Sequence, residues 1–268
     1  MNANVTDSQT PSHGAVAGFD LPYRCFGLMD GRGRWRSWRF ARTAETPTFI
    51  REACNRGLVL FSSVQTFAPP RNMAGTLRWK QVDDQYRGDG NLLPHLAPLY
   101  FDVDCDGDLD RALLWARSLV EFFTVRLTQP PSAVRVWFSG SKGAHVLVSP
   151  VALGIEASST LTADIKLVAI GLVKHLTALG SPDLTIDSAV YSLPRMLRMP
   201  DQLNPKSGLF KVELTHAELF GCSTDQIVEL ARRPRGSLWL PGDLPVAPIP
   251  TAATWWADQL AKACQPRE

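Results

Sequence analysis

Between residues 110 and 127, apolar side chains recur at three- and four-residue intervals: Leu113, Ala116, Leu119, Val120, Phe123 and Leu127. That period predicts a helix that buries one face. Gln129-Pro130-Pro131 ends it, because proline lacks a backbone donor and clashes with the preceding turn. A second helix is predicted over 158–179, with Leu161, Ile165, Val168, Leu172, Leu176 and Leu179 on one face and Gly180 at its end. Around these helices lie short runs with strand character. Residues 98–103 (PLYFDV) read as a buried strand, and 133–138 and 144–148 as two strands joined by Ser139-Gly140-Ser141-Lys142-Gly143 in a hairpin. Residues 184–186 and 209–214 read as further strands, separated by an arginine-bearing loop. The resulting order, β-α-β-β-α-β, is that of a ferredoxin-like or RNA-recognition-like unit.

The first part of the chain is less regular. Residues 1–18, rich in Asn, Ser, Thr and Gly, read as a disordered tail. Residues 19–97 carry mixed strand and helix signals and form an N-terminal α/β module. Within it, 58–67 (LVLFSSVQTF) reads as a strand stopped by Pro69-Pro70, and 78–93 as a polar loop or lid. The expected organisation is this module packed on an RRM-like catalytic module over 98–215. A helical extension over 216–268, with one or two surface helices broken by proline-rich 241–250, completes one α/β (α+β) unit spanning 19–268.

Composition narrows the class. A hydrophobic share of 45% with 20% charged residues fits a globular protein with a substantial core. A net charge of +2 means that any basic surface must be local. One stretch qualifies: residues 31–42 (GRGRWRSWRFAR) hold five arginines and no acid, interleaved with Trp35, Trp38 and Phe40. Arginine suits a nucleic-acid backbone and an indole can stack on a base. Equally, Trp38 and Phe40 suit the buried side of a strand whose other side is basic. The five cysteines are scattered, with no CxxC pair, which favours reduced thiols in the cytoplasm over a disulfide framework or a thiolate zinc site. The first residues lack the apolar stretch of a signal peptide, and no run of 18 apolar residues occurs, so no membrane partner is expected.

Three places carry candidate chemistry. Asp102 and Asp104 close the strand at 98–103, and the two-residue period puts both carboxylates on one face. Such a pair can hold divalent metal. A solvated turn is one alternative. Another is a calcium loop, since Asp102, Asp104, Asp106, Gly107 and Asp108 match its opening. That loop needs an acid at its twelfth place, where Leu113 stands, and a preceding helix, where Leu99-Tyr100-Phe101 stand. In the hairpin 139–145, glycines would let the backbone approach a phosphate, Lys142 adds a charge and His145 a donor. A plain turn and a satisfied strand histidine are the ordinary explanations. Beyond Asp187, Arg195 and Arg198 stand three apart with Lys206 following, and guanidinium forks match phosphate oxygens. A solvated basic loop is the alternative.

Taken in order, a strand ending in DxD, a helix, an SGxKGxH hairpin, a helix, then ID with RxxR and KxG resemble the archaeo-eukaryotic primase superfamily. That superfamily contains the small catalytic subunits of primases and the primase-polymerases. The likeness covers roughly residues 99–214, with Arg36-Ser37-Trp38-Arg39-Phe40 a looser match upstream. It implies a DNA primase or polymerase that joins NTPs or dNTPs on a DNA or RNA template and primer, using two Mg²⁺ or Mn²⁺ ions. Asp102, Asp104 and Asp187 would be the metal-binding and catalytic carboxylates. Ser139, Lys142, His145, Arg195, Arg198 and Lys206 would bind the nucleotide, with Arg36 and Arg39 as phosphate or template contacts. A helicase or other replication, repair or defence proteins would be natural partners. Two departures stand out: no residues have the spacing of the zinc insertion many members carry, and Gly143 occupies a place where others have serine. The rival classes are a catalytically silent single-stranded nucleic-acid-binding module and a metal-dependent phosphohydrolase using the same carboxylates.

Overall fold

The computed structural model describes residues 21–68, 77, 78, 80, 94–180, 186–236 and 247–263. In chain order these form β1 (Tyr23–Met29), β2 (Trp35–Arg42), α1 (Thr46–Arg56), β3 (Val59–Ser63), β4 (Thr66–Phe67), β5 (Leu77–Arg78), β6 (His95–Leu96) and β7 (Leu99–Asp104). There follow α2 (Leu109–Glu121), β8 (Val134–Phe138), β9 (Gly143–Val148), α3 (Leu161–Ala178), β10 (Met196–Arg198) and β11 (Val212–Leu214). Helices α4 (His216–Gly221), α5 (Thr224–Leu230) and α6 (Pro250–Ala263) follow among the described residues.

The strands make two antiparallel sheets, so the fold is α+β. The first has the order β10-β3-β1-β2-β5, with β4 beside β1 and β6 beside β4. The second has the order β11-β8-β9-β7. Local signals set several boundaries. Gly57 takes a left-handed φ of 59° to close α1, as a C-terminal glycine should. Asp108 caps α2 by accepting from the Arg111 N–H at 2.9 Å. Thr215 with Glu218, and Ser223 with Gln226, make capping boxes that start α4 and α5.

Helices α2 and α3 cover the second sheet. Phe101 and Val103 of β7 are buried with Leu113, Leu119 and Phe123 from the α2 region and Ile165 and Leu172 from α3. The helix expected over 110–127 is α2 to Glu121, continued by a π-helical turn over Phe122–Arg126. The first sheet has its own core, where Phe26 stacks on Phe49 of α1 at 4.4 Å and Leu28, Ala41 and Leu60 pack alongside.

Several expectations need correction. The strand foreseen over 58–67 is two strands, β3 and β4, in the first sheet. The arginine-bearing loop contains a strand, β10, and it pairs with β3, so the first sheet reaches past the boundary drawn at residue 97. The second sheet keeps the chain order β-α-β-β-α-β, but β11 lies beside β8 and not beside β7. A ferredoxin-like unit would close with its last strand next to its first; among the described residues no strand lies on the outer edge of β7, and the strand expected at 184–186 falls outside them apart from Ile186. Helix α6 is less superficial than expected: Ala252 and Trp256 are buried in the main core and Trp255 meets Phe122 edge-on at 5.5 Å. The tail at 1–18, the strand at 184–186 apart from Ile186, most of the lid at 78–93 and the proline-rich run up to residue 246 fall outside the described residues.

Phe101→Ala, which empties a fully buried site beneath β7, should lower unfolding free energy by about 3–5 kcal/mol in urea titration.

Candidate active site

Because side chains alternate along β7, Phe101 and Val103 face the helices while Tyr100, Asp102 and Asp104 face the other way. Antiparallel register then selects their neighbours. Asp102 lies opposite His145 of β9, and His145 lies opposite Trp137 of β8. The His145 Nε2 is 3.4 Å from Asp102 Oδ1, and Arg195 Nη2 donates to Asp102 Oδ2 at 2.9 Å. Tyr100 and Tyr191 pack beneath, each hydroxyl donating to a backbone carbonyl of the other's segment: Tyr100 to Val190 and Tyr191 to Tyr100 itself, both at 2.9 Å.

Asp104 lies opposite Gly143. A Cβ at residue 143 would sit 2.0 Å from the Val103 carbonyl oxygen and 2.3 Å from Asp104 Oδ1, so only glycine allows the hairpin this close to the acidic strand end. Gly140 has a φ of +76° and packs against the backbone of Leu209 and Phe210, where a Cβ would meet atoms at 3.0 Å. Both glycines therefore answer to protein backbone, a tighter constraint than the approach to a phosphate that their spacing suggested. Lys142 turns back toward the acids, 3.3 Å from Asp104 and 2.7 Å from Asp106.

The first sheet supplies the arginines. The Gln65 side chain, fully buried, accepts from the Arg195 N–H at 3.0 Å and donates to the Ser192 carbonyl at 3.2 Å, while the Val64 N–H donates to the Arg195 carbonyl at 2.8 Å. Arg198 Nη1 then reaches the Ser139 carbonyl at 3.0 Å, and Asn204 Nδ2 reaches the Gly140 carbonyl at 3.3 Å. Ser207 Oγ donates to the same Gly140 oxygen. Segments remote in sequence thus hold the hairpin from below.

These pieces enclose one cleft of about 470 Å³. Its lining includes Asp102, Asp104, Ser139, Lys142 and His145 from the second sheet and Arg195, Arg198 and Lys206 from the arginine segment. Asp187 does not line it. Its carboxylate is exposed and accepts from the Ala189 N–H at 2.8 Å, capping a short 3-10 turn. Arg36 and Arg39 are also elsewhere. Arg36 pairs with Asp30 at 2.7 Å, and Arg39 forks onto Glu52 at 2.9 and 3.0 Å, partly exposed pairs that contribute little to stability. Gly31, Arg32 and Gly33 of the β1–β2 turn, marked in the sequence as part of the basic stretch 31–42, also line the cleft, together with Phe61 of β3, which sequence reasoning overlooked. Sequence reasoning also overlooked Lys211, buried behind His145, which donates to the Arg198 carbonyl at 2.8 Å and lies 5.5 Å from the Trp137 ring centre. A lysine inside the strand-like run Leu209-Phe210-Lys211-Val212 was the one visible signal.

Charge in the cleft is tightly balanced. Burial opposes ionisation of Asp102, but His145 and Arg195 more than offset it and hold the carboxyl well below the usual range. Burial, then the Lys211 charge, pushes His145 below its ordinary value, against the pull of Asp102. Asp104 is shifted the other way, raised first by burial and then by the Asp102 charge despite Lys142. Burial, then Arg198, lowers Lys211 to about 7. Three buried donors or acceptors, His145 Nδ1, Arg195 Nε and Arg198 Nε, have no hydrogen-bond partner among the described residues.

Two hard carboxylates on one face, one of them raised by the other's charge, form a donor set that suits Mg²⁺ or Mn²⁺. Asp187 is not among the residues that line the cleft, and no group of three His, Cys, Asp or Glu side chains fit for a metal occurs among the described residues. No helix among the described residues is long and apolar enough to cross a membrane. Compared with known proteins, the chain matches no family model and no curated protein.

Gly143→Ala should displace β7 from β9 and lower the thermal midpoint, whereas Gly31→Ala, with open space around it, should leave it within about a degree; a 1 kcal/mol loss is about 2–4 °C at this size. Since folding weakens proton binding by Lys211, the unfolded chain carries more protons above pH 7 and native stability rises with pH through that window. Urea titrations between pH 7 and pH 9 should show that contribution, at most about 1.4 kcal/mol per pH unit, vanish in Lys211→Met.

Proposed function

We propose that this chain is a metal-dependent nucleotidyltransferase of the primase-polymerase kind, adding NTPs or dNTPs to a nucleic-acid strand. The observation that carries the reading is the shared cleft: carboxylates Asp102 and Asp104 on one side, and Lys142, His145, Arg195, Arg198 and Lys206 around the same space. A nucleoside triphosphate is a small polyanion whose transfer chemistry needs this combination of oxygen donors for a divalent ion and cations for phosphate.

Asp102 and Asp104 would hold the divalent ion, which when bound supplies Lewis-acid neutralisation of the reacting phosphate and lowers the pKa of a coordinated hydroxyl. The chain's own groups do the rest. His145 and Arg195 together hold the Asp102 carboxyl well below the usual range, against burial. His145 directs Nε2 at Asp102, and its Nδ1, without a hydrogen-bond partner among the described residues, can donate to a phosphate oxygen when the ring is protonated. The free Nε atoms of Arg195 and Arg198 offer further donors, and Lys142 and Lys206 supply charge at the mouth. Preorganised donors of this sort carry most of the acceleration in phosphoryl transfer. The resemblance to archaeo-eukaryotic primases agrees with this assignment, with Asp187 left as the member of the trio that lies outside the cleft lining.

Incubation with Mn²⁺ or Mg²⁺, labelled NTPs or dNTPs and a single-stranded template, primed or unprimed, should yield extended strands. Asp102→Ala combined with Asp104→Ala should reduce the rate by roughly a hundredfold or more while leaving the far-UV spectrum unchanged. Release of inorganic phosphate without extension would replace this proposal with a phosphohydrolase, and strand binding without turnover would replace it with a silent binding module.

A further inference from the structure

One face of the first sheet is covered by α1, and the other is paved with rings. On β1, Gly27 lies between Trp38 of β2 and Phe61 of β3 in the pairing register. A bulge between Leu28 and Met29 shifts the next pair so that Trp35 faces Met29. The Trp35 ring lies over Gly27: a Cβ there would be 2.4 Å from Trp35 Cζ3 and 3.1 Å from the Met196 methyl. The missing side chain lets the indole lie close against the sheet. Trp35 stacks with Trp38 at 5.5 Å and 11°, and meets Phe61 edge-on at 5.1 Å. Phe61 in turn carries the Arg198 guanidinium 6.0 Å from its centre.

The paving is continuous with the cleft, because Met29, Phe61, Met196 and Arg198 line its wall. It emerges at Trp35, which remains 42% exposed. Its edge is cationic. Asp30 accepts from the backbone N–H groups of Arg32 and Arg34 and pairs with the side chains of Arg34 and Arg36. That arrangement fixes the turn and leaves the Arg32 side chain, a cleft-lining cation, with no ion pair among the described residues. An exposed flat indole bordered by three arginines that share a single acid, one of them with no ion pair among the described residues, matches a base attached to a phosphate backbone. An apolar protein surface would not call for the charge.

We infer that Trp35, laid flat over Gly27 and buttressed by Trp38 and Phe61, is a stacking platform for a base of single-stranded nucleic acid leading out of the cleft. The inference rests on the nucleotidyltransferase reading for its direction, but not for its test.

The test is fluorescence anisotropy with a labelled twelve-residue oligothymidylate and a labelled abasic strand of equal length, without metal or nucleoside triphosphate. Wild-type protein should bind the thymidine strand more tightly than the abasic one. Trp35→Ala should lose roughly 5- to 150-fold in affinity for the thymidine strand, the range expected for one base stack, and little for the abasic strand. Trp35→Phe should restore most of the preference. Equal binding of both strands by wild type, or unchanged affinity in a folded Trp35→Ala, overturns the inference. So does a loss confined to mononucleotide binding, which would assign the indole to the base of a bound triphosphate, or a dimer in sedimentation that Trp35→Ala dissolves. Base-dependent binding that persists where no synthesis is detected would sink the polymerase proposal and leave this platform standing.

Discussion

The contact between Arg195 and Asp102 joins the two halves of the molecule. Asp102 stands on β7 of the second sheet, while Arg195 is tethered through Gln65 and Val64 to the first. Removing such charges from water costs several kcal/mol per ion, and apolar replacements of partly buried pairs are often neutral or stabilising. Stability alone therefore explains the pair poorly. Its consequence is that a carboxylate is kept ionised, and a guanidinium held in place, at the floor of a cleft that neither sheet forms by itself.

The rest of the site follows from that constraint. With Asp102 fixed, the β7–β9 register delivers His145 beside it and Gly143 beside Asp104. The glycine hairpin is then clamped by Arg198, Asn204 and Ser207 through the carbonyl oxygens of Ser139 and Gly140, which fixes its position beside the acids. Lys211 completes the support from behind. A buried ammonium next to Arg198 is electrostatically unfavourable, and the Trp137 ring together with the Arg198 carbonyl offsets part of that cost.

A cleft lined by carboxylates and cations and an aromatic surface would ordinarily be separate features. Here Phe61 belongs to both, lining the cleft while meeting the Trp35 indole and the Arg198 guanidinium. On the proposed reading, a strand held by its bases on one side and its reacting phosphates on the other would cross from Trp35 toward Asp102 along this wall.

Much of this was open to sequence reasoning. Helical periods at Leu113, Leu119 and Phe123 and at Ile165, Val168 and Leu172 located α2 and α3, and two-residue alternation put Asp102 and Asp104 on one face, because both rules act between near neighbours in the chain. The residue types around Lys142, His145, Arg195 and Arg198 marked candidate chemistry for the same local reason. Tertiary structure alone decided that β10 is a strand, since Met196, Leu197 and Arg198 find their partners in β3, and that β11 lies beside β8. It also decided that Gly27 makes room for Trp35, that Lys211 is buried, and that Asp187 caps a turn outside the cleft lining. These outcomes depend on hydrogen bonds and close contacts between segments far apart in the chain, which no period or motif encodes.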